Sequence, residues 1–177
     1  MRKKTIFDMH RISVEEFRKS NKIPLVVVLD NVRSLNNVGS VFRTSDAFRV
    51  EAVYLCGITA TPPHPEIHKT ALGAEDSVAW HYEEDTLKVV NNLIKNNYEV
   101  YAIEQVEDSI LLTELKLDKN KKYAVVLGNE VKGVQQEVVD KCTQSIEIPQ
   151  YGTKHSLNVS VTAGIVIWSF FKQLFEE

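Results

Sequence analysis

Between residues 31 and 49 the chain reads NVRSLNNVGSVFRTSDAFR, which crowds Asn31, Arg33, Asn36, Asn37, Gly39 and Arg43 into one short stretch. A guanidinium is a planar donor suited to phosphate, and the first turn of a helix offers free backbone N–H groups to the same kind of anion. The spacing predicts a helix beginning near Asn36 or Asn37, either asparagine serving as cap, with Val38, Val41, Phe42 and Phe48 along its apolar face. Gly39 lies four residues before Arg43, and helical side chains tilt toward the N-terminus, so Arg43 is expected to lean over Gly39. A glycine there costs up to about 1 kcal/mol relative to alanine. The expected return is an open space in which the guanidinium and backbone N–H groups meet a phosphate. An ordinary helix with a capping asparagine and a solvated arginine fits the same residues, and these residues alone do not separate the two.

Two later stretches have a related form. YAVVLGNEVKGV (Tyr123 to Val134) ends an apolar run in a polar turn framed by Gly128 and Gly133, and IEIPQYGTKHSLNVSVTAG (Ile146 to Gly164) has a second turn over Pro149 to Ser156. Turns that follow apolar strands are where open α/β sheets bind ligands. Neither carries the glycine and lysine spacing of a P-loop or the GxGxxG of a dinucleotide fold, which argues against ATP, GTP and NAD. Taken singly, Glu130 reads as a solvated loop carboxylate, Ser156 and Asn158 as helix caps, and His155 as an exposed loop residue. A Ser156 and His155 hydrolase is disfavoured because no nucleophile elbow surrounds them. His64 and His68 are four apart, but His64 sits between prolines and lacks a third ligand, so no metal is expected. Cys56 and Cys142 have no ligand spacing, which argues against zinc or a disulfide and fits a reducing cytoplasm.

The pattern N-x-R-x-x-x-N-x-G-x-x-x-R, filled by Asn31, Arg33, Asn37, Gly39 and Arg43, resembles the first motif of the SpoU (TrmH) family of RNA 2′-O-ribose methyltransferases, in the SPOUT superfamily. The two later stretches resemble its second and third motifs, in the same order, and the similarity runs from Pro24 onward. The resemblance implies an α/β sheet whose C-terminal segment forms a deep trefoil knot, and a homodimer built through the knot region and C-terminal helix. It implies S-adenosylmethionine held in a bent form at Leu127, Gly128, Ile148 and Leu157. It sets Arg43 at the ribose 2′-hydroxyl and neighbouring phosphate, with Asn37, Glu130, Ser156 and Asn158 at other catalytic-site positions, and Arg33, Arg43, Lys69 and Thr70 toward RNA. The arginine matching Arg43 is often assigned as the base, but a guanidinium stays protonated to a pKa above about 12, so Arg43 is better suited to clamping phosphate and steadying an alkoxide. The substrate implied is RNA, tRNA ahead of rRNA. The alternative is a non-catalytic RNA-binding module that keeps the knotted fold.

These residues need a frame to position them. Leu25 to Leu29 is a continuous apolar run, as expected of a strand buried on both faces, and Ala52 to Cys56 a second strand in a βαβ rhythm. Helices are expected over Val14 to Lys19, Glu66 to Leu72, Thr86 to Lys95 and Val134 to Lys141, with one helical turn over Leu111 to Leu115. Further strands are expected over Ser77 to Tyr82, Tyr98 to Ile103 and Tyr123 to Leu127. The fold class is therefore α/β, an open and mostly parallel sheet flanked by helices. The last helix, Leu157 to Phe175, is apolar on almost every face, more than one sheet can cover, which independently favours a second subunit.

With 177 residues, 44% hydrophobic and 25% charged, the chain suits one soluble domain. Residues 1–22 carry seven Lys/Arg against three Asp/Glu, a net +4 that leaves −7 of the overall −3 for the rest. The reading is a basic arm, residues 1–22, on a methyltransferase-like catalytic domain, residues 23–177, with the arm suited to RNA. The charged N-terminus has no secretory h-region, and the longest apolar run, near the C-terminus, is too short to span a membrane.

Overall fold

The computed structural model describes residues 1–5, 8 and 11–176; residues 6, 7, 9 and 10 of the basic arm lie outside the described residues. Its centre is β1 (Ile23–Asp30), in which successive side chains leave to opposite faces. Leu25, Val27 and Leu29 enter one core with Phe42, Val166 and Phe170, while Val26 and Val28 enter a second with Val90, Leu93 and Val138. Burial on both faces is what a continuous apolar strand requires.

Six more strands complete the sheet: β2 (Val50–Cys56), β3 (Trp80–Glu83), β4 (Tyr98–Ile103), β5 (Ile110–Leu111), β6 (Lys122–Leu127) and β7 (Gln144–Glu147). Their order is β3-β2-β1-β6-β4-β7-β5, and every pair is parallel. The chain builds outward from β1 through β2 to β3, then turns to the other side, where β6 is inserted between β1 and β4. The order reverses beside β1, so a crevice opens there at the C-terminal ends of the strands.

Helices cover both faces: α2 (Leu35–Ala47), α3 (Pro65–Ala71), α4 (Ala74–Ser77) and α7 (Val159–Leu174) on one, α5 (Thr86–Lys95) and α6 (Gln136–Lys141) on the other. Helix α1 (Val14–Lys19), closed by a capping box between Ser13 and Glu16, sends Phe17 into the first core. The Arg18 guanidinium donates to the Asp76 carbonyl at 2.6 Å, so the end of the basic segment is tied to the body.

Several expectations shift. Ser34, not Asn36 or Asn37, caps α2, its hydroxyl accepting from the Asn37 N–H at 3.3 Å. A single turn does follow Leu111, the Glu114 N–H donating to the Leu111 carbonyl at 2.9 Å, but Leu111 itself pairs with β7 alongside Ile110 as an edge strand, because the open edge of β7 offers backbone partners that spacing cannot reveal. The strand expected from Ser77 starts only at Trp80, since Ala74–Ser77 is helical. Helix α6 starts at Gln136, two residues late, because Val134 and Gln135 are still engaged in the turn before it. In agreement with its sequence, helix α7 carries more apolar surface than its own domain covers. Val159, Ala163, Val166, Ile167, Phe170 and Leu174 are buried, while Val161 (50%), Ile165 (38%) and Trp168 (48%) are exposed along one stripe.

Candidate functional site

The end of β1 supplies the first anchor. Asp30 is fully buried, and its carboxylate accepts from the Thr86 hydroxyl (2.7 Å), the Gln135 N–H (2.9 Å), the Gln135 side-chain amide (2.8 Å) and Asn31 (2.9 Å). A carboxylate withdrawn from water costs several kcal/mol unless donors surround it, and here four do. Asn31 then turns the backbone at φ 55, a conformation asparagine tolerates. Its carbonyl accepts from the Asn129 side chain at 2.8 Å. The turn after β6 is thus held at Asn129 and again at Gln135, both times by the end of β1.

That turn folds tightly on itself, Asn129 and Gly133 exchanging backbone hydrogen bonds of 3.0 and 2.9 Å. A Cβ on Gly128 would lie 2.1 Å from the Gly133 carbonyl carbon and 2.2 Å from the Val134 nitrogen, so only glycine closes it. The turn aims Glu130 at the start of α2, where its carboxylate accepts from the N–H groups of Arg33 (2.9 Å) and Ser34 (2.9 Å) and from the Asn37 amide (3.0 Å). Burial opposes ionisation of Glu130, but these donors outweigh it and hold the carboxyl below its usual range. Far from being a solvated loop carboxylate, Glu130 satisfies the free N–H groups at the entry to α2.

The third turn joins the same array. Asn158 caps α7, its side-chain oxygen accepting from Ser160 and Val161, while its amide donates to the Asn37 side-chain oxygen at 3.2 Å. Asn37 is therefore the middle of a chain of side chains, Asn158 to Asn37 to Glu130, that links all three sequence stretches.

Beside this array lies a cleft of about 670 Å³, bounded by the turns after β4, β6 and β7. Its walls include Leu127, Gly128, Glu130, Ile148, Ser156, Leu157 and Asn158. Every expected cofactor residue is in that wall, together with three of the expected catalytic residues. Sequence reasoning passed over Glu104, at the end of β4, which also lines the cleft. The one signal available was a carboxylate directly after an apolar strand.

The basic residues stand elsewhere. Arg33, Arg43 and Lys69 are all exposed and none is part of the cleft wall; Lys69 pairs with Glu66 at 3.3 Å. Gly39 does not open a space for an anion. A Cβ there would meet the Thr70 hydroxyl at 2.1 Å and the Ile67 carbonyl at 2.2 Å, so the glycine admits α3 instead. Thr70 faces inward, its hydroxyl donating to the Asn36 carbonyl at 3.0 Å.

His64 caps α3 by accepting from the Glu66 N–H, and His68 pairs with Glu75 at 2.6 Å, so the two histidines have separate structural partners. Among the described residues there is no cluster of three metal-ligating side chains, and no helix is long and apolar enough to cross a membrane. Burial pushes both the Cys56 and Cys142 thiols up to about 12, which keeps them protonated and unreactive at neutral pH.

Comparison with known proteins adds a family to this geometry. The profile of the SpoU rRNA Methylase family matches residues 24–168. A tRNA (guanosine(18)-2′-O)-methyltransferase of Aquifex aeolicus is 29% identical over 163 residues, 90% of this chain and 74% of the relative. A 23S rRNA (guanosine-2′-O-)-methyltransferase of Nitrosomonas europaea is 31% identical over 153 residues, 84% of this chain but only 56% of the relative. The AdoMet-bound rRNA methyltransferase of Sinorhizobium meliloti superposes with a TM-score of 0.79 at 24% identity, covering 90% of this chain and 61% of that one.

Proposed function

The chain belongs to the SpoU family of RNA methylases, whose α/β fold carries a C-terminal trefoil knot, and from that premise we propose that it transfers a methyl group from S-adenosylmethionine to a ribose 2′-hydroxyl of RNA. The observation that carries the proposal is the hydrogen-bonded array Asn158–Asn37–Glu130, which joins all three motifs at the wall of one cleft. About 670 Å³ is within the range that small-molecule sites occupy, roughly 300–1,000 Å³. Its apolar walls at Leu127, Ile148 and Leu157 suit a flat base, and the backbone groups of the turns offer the polar contacts. S-adenosylmethionine supplies an activated methyl group.

The chain's own residues then have distinct tasks. Glu130 and Asn37 keep the start of α2 against the cleft, so that nucleophile and methyl group meet in one geometry; such positioning supplies much of the rate in a displacement reaction. Asn158 and Ser156 shape the adjoining wall. Arg43, exposed on α2, clamps the phosphate beside the target ribose and stabilises the alkoxide as it develops. Arg33 and Lys69 extend this basic surface.

Relatives divide between tRNA and rRNA. We place tRNA first, because the basic arm is a small addition suited to a compact RNA. A second copy of the chain is assigned to the exposed stripe of α7, and the cytoplasm to its place of work, where two protonated thiols are expected to stay reduced.

The test is transfer of labelled methyl from S-adenosylmethionine to separate tRNA and rRNA pools, followed by nucleoside analysis. The expected product is a 2′-O-methylated nucleoside from the tRNA pool. It should be lost in Arg43→Ala while that variant still binds cofactor. Product from rRNA alone would overturn the substrate assignment, and RNA binding without cofactor binding would leave an RNA-binding module.

A further inference from the structure

Five titratable side chains line the cleft: Glu104, Glu130, Lys132, Glu147 and His155. Glu130 has both oxygens engaged with the start of α2, and Glu147 accepts from the Ser109 hydroxyl at the far edge of the sheet. Glu104 differs from both. It follows β4 directly, next to the inserted strand β6, and its carboxylate is gripped from two walls of the cleft at once. One oxygen accepts from the Gln105 N–H at 3.0 Å, and the other from the Val134 N–H at 3.1 Å.

Each oxygen receives one backbone donor and retains acceptor capacity, since a carboxylate has about four lone-pair sites. The turn after β6 is built to admit this group. A Cβ on Gly133 would come within 2.2 Å of the Glu104 carboxylate, and the residue sits at φ 70, which favours glycine. The two backbone donors hold the carboxylate in the cleft wall, and the absent Cβ of Gly133 leaves room for it.

We infer that Glu104 is a ligand-binding residue of this cleft, its carboxylate accepting hydrogen bonds from the vicinal hydroxyls of the adenosyl ribose. The inference rests on the cofactor reading above. A fixed carboxylate is a pure acceptor with two parallel oxygens, which matches two adjacent O–H donors, and an acid after a strand of an α/β sheet serves ribose in the same way in dinucleotide folds. The apolar walls at Leu127, Ile148 and Leu157 are then left for the base.

The experiment is calorimetric titration of wild type and Glu104→Gln with S-adenosylhomocysteine and with its 2′,3′-dideoxy analogue. Hydrogen bonds to a charged group are worth roughly a 10- to 100-fold change in affinity, so wild type should favour the hydroxylated ligand by about that factor. In Glu104→Gln the preference should shrink toward unity, with the dideoxy analogue bound nearly as in wild type. A purely structural role would weaken both ligands equally and overturn the inference. Equal binding of both ligands by wild type would overturn it without any variant, which covers the case of a substitution that unfolds the turn. Failure of wild type to bind either ligand would instead remove the cofactor reading, and this inference with it.

Discussion

Glu130 and Asn37 carry opposite halves of one contact, and each half makes its own prediction. The Glu130 carboxyl is ionised below its usual range; burial opposes this, and the N–H groups of Arg33 and Ser34 with the Asn37 amide prevail. A depressed folded pKa contributes stability that is fully present above the ordinary carboxyl value and is lost as pH falls through the lowered one. Glu130→Gln should therefore be less stable than wild type at pH 7, with the gap closing as pH drops below about 4.3. Urea unfolding at a series of pH values checks this, and a gap independent of pH would show that the charge is immaterial. Asn37→Asp is the sharper change, because it sets a carboxylate 3.0 Å from that of Glu130 where an amide now donates. It should cost at least about 1–3 kcal/mol of stability by the same measurement, and methyl transfer should fall with it.

At the scale of elements, the packing of α2 on α3 turns on Gly39. Alanine is the better helix former by up to about 1 kcal/mol, yet a Cβ here would drive into the Ile67 carbonyl and the Thr70 hydroxyl. Gly39→Ala should therefore destabilise by about 1–3 kcal/mol in chemical denaturation. A stabilised variant would mean that the glycine faces open space after all.

The same glycine shows where sequence reasoning stops. Its spacing from Arg43 is a local fact, whereas what fills the space beside it comes from a helix some thirty positions away, which no spacing reveals. Strands β1 and β6 were legible because burial on both faces leaves an unbroken apolar run, and α5 because its apolar positions recur at helical spacing. Strand β5 was not, since two residues have no period. In the site, the motif residues in the cleft wall were legible through family resemblance. Glu104 and Asp30 were not, because each acts through partners distant along the chain, Val134 for one, Thr86 and Gln135 for the other.

For the whole molecule, the exposed stripe of α7 and the basic arm make separate claims. Val161, Ile165 and Trp168 expose apolar surface that a second copy would remove from water. Trp168 also stacks on Phe171 and tilts against Phe48, so the patch is braced from beneath. Trp168→Glu should shift a dimer toward monomer in sedimentation velocity, and an unchanged profile would assign the stripe no such role. Deletion of residues 1–11 leaves α1 and the buried Phe17 in place while removing Arg2, Lys3, Lys4 and Arg11. RNA affinity should fall and its salt dependence flatten, with cofactor affinity unchanged. Equal affinity at every salt concentration would take the arm out of RNA binding.

The insertion of β6 between β1 and β4 also sets an order of events during synthesis. On a ribosome, β1, β2 and β3 can pair as they emerge, but the second edge of β1 has its partner only after Lys122–Leu127 has been made. Until then a strand with a continuous apolar run, Leu25 to Leu29, offers an open row of backbone donors and acceptors, the kind of edge that pairs with other chains. Segment 148–158 can take its course back from β7 to α7 only later still. The nascent protein thus passes through a long interval with half a sheet and no cleft, and the wall of that cleft becomes complete only when the last helix docks.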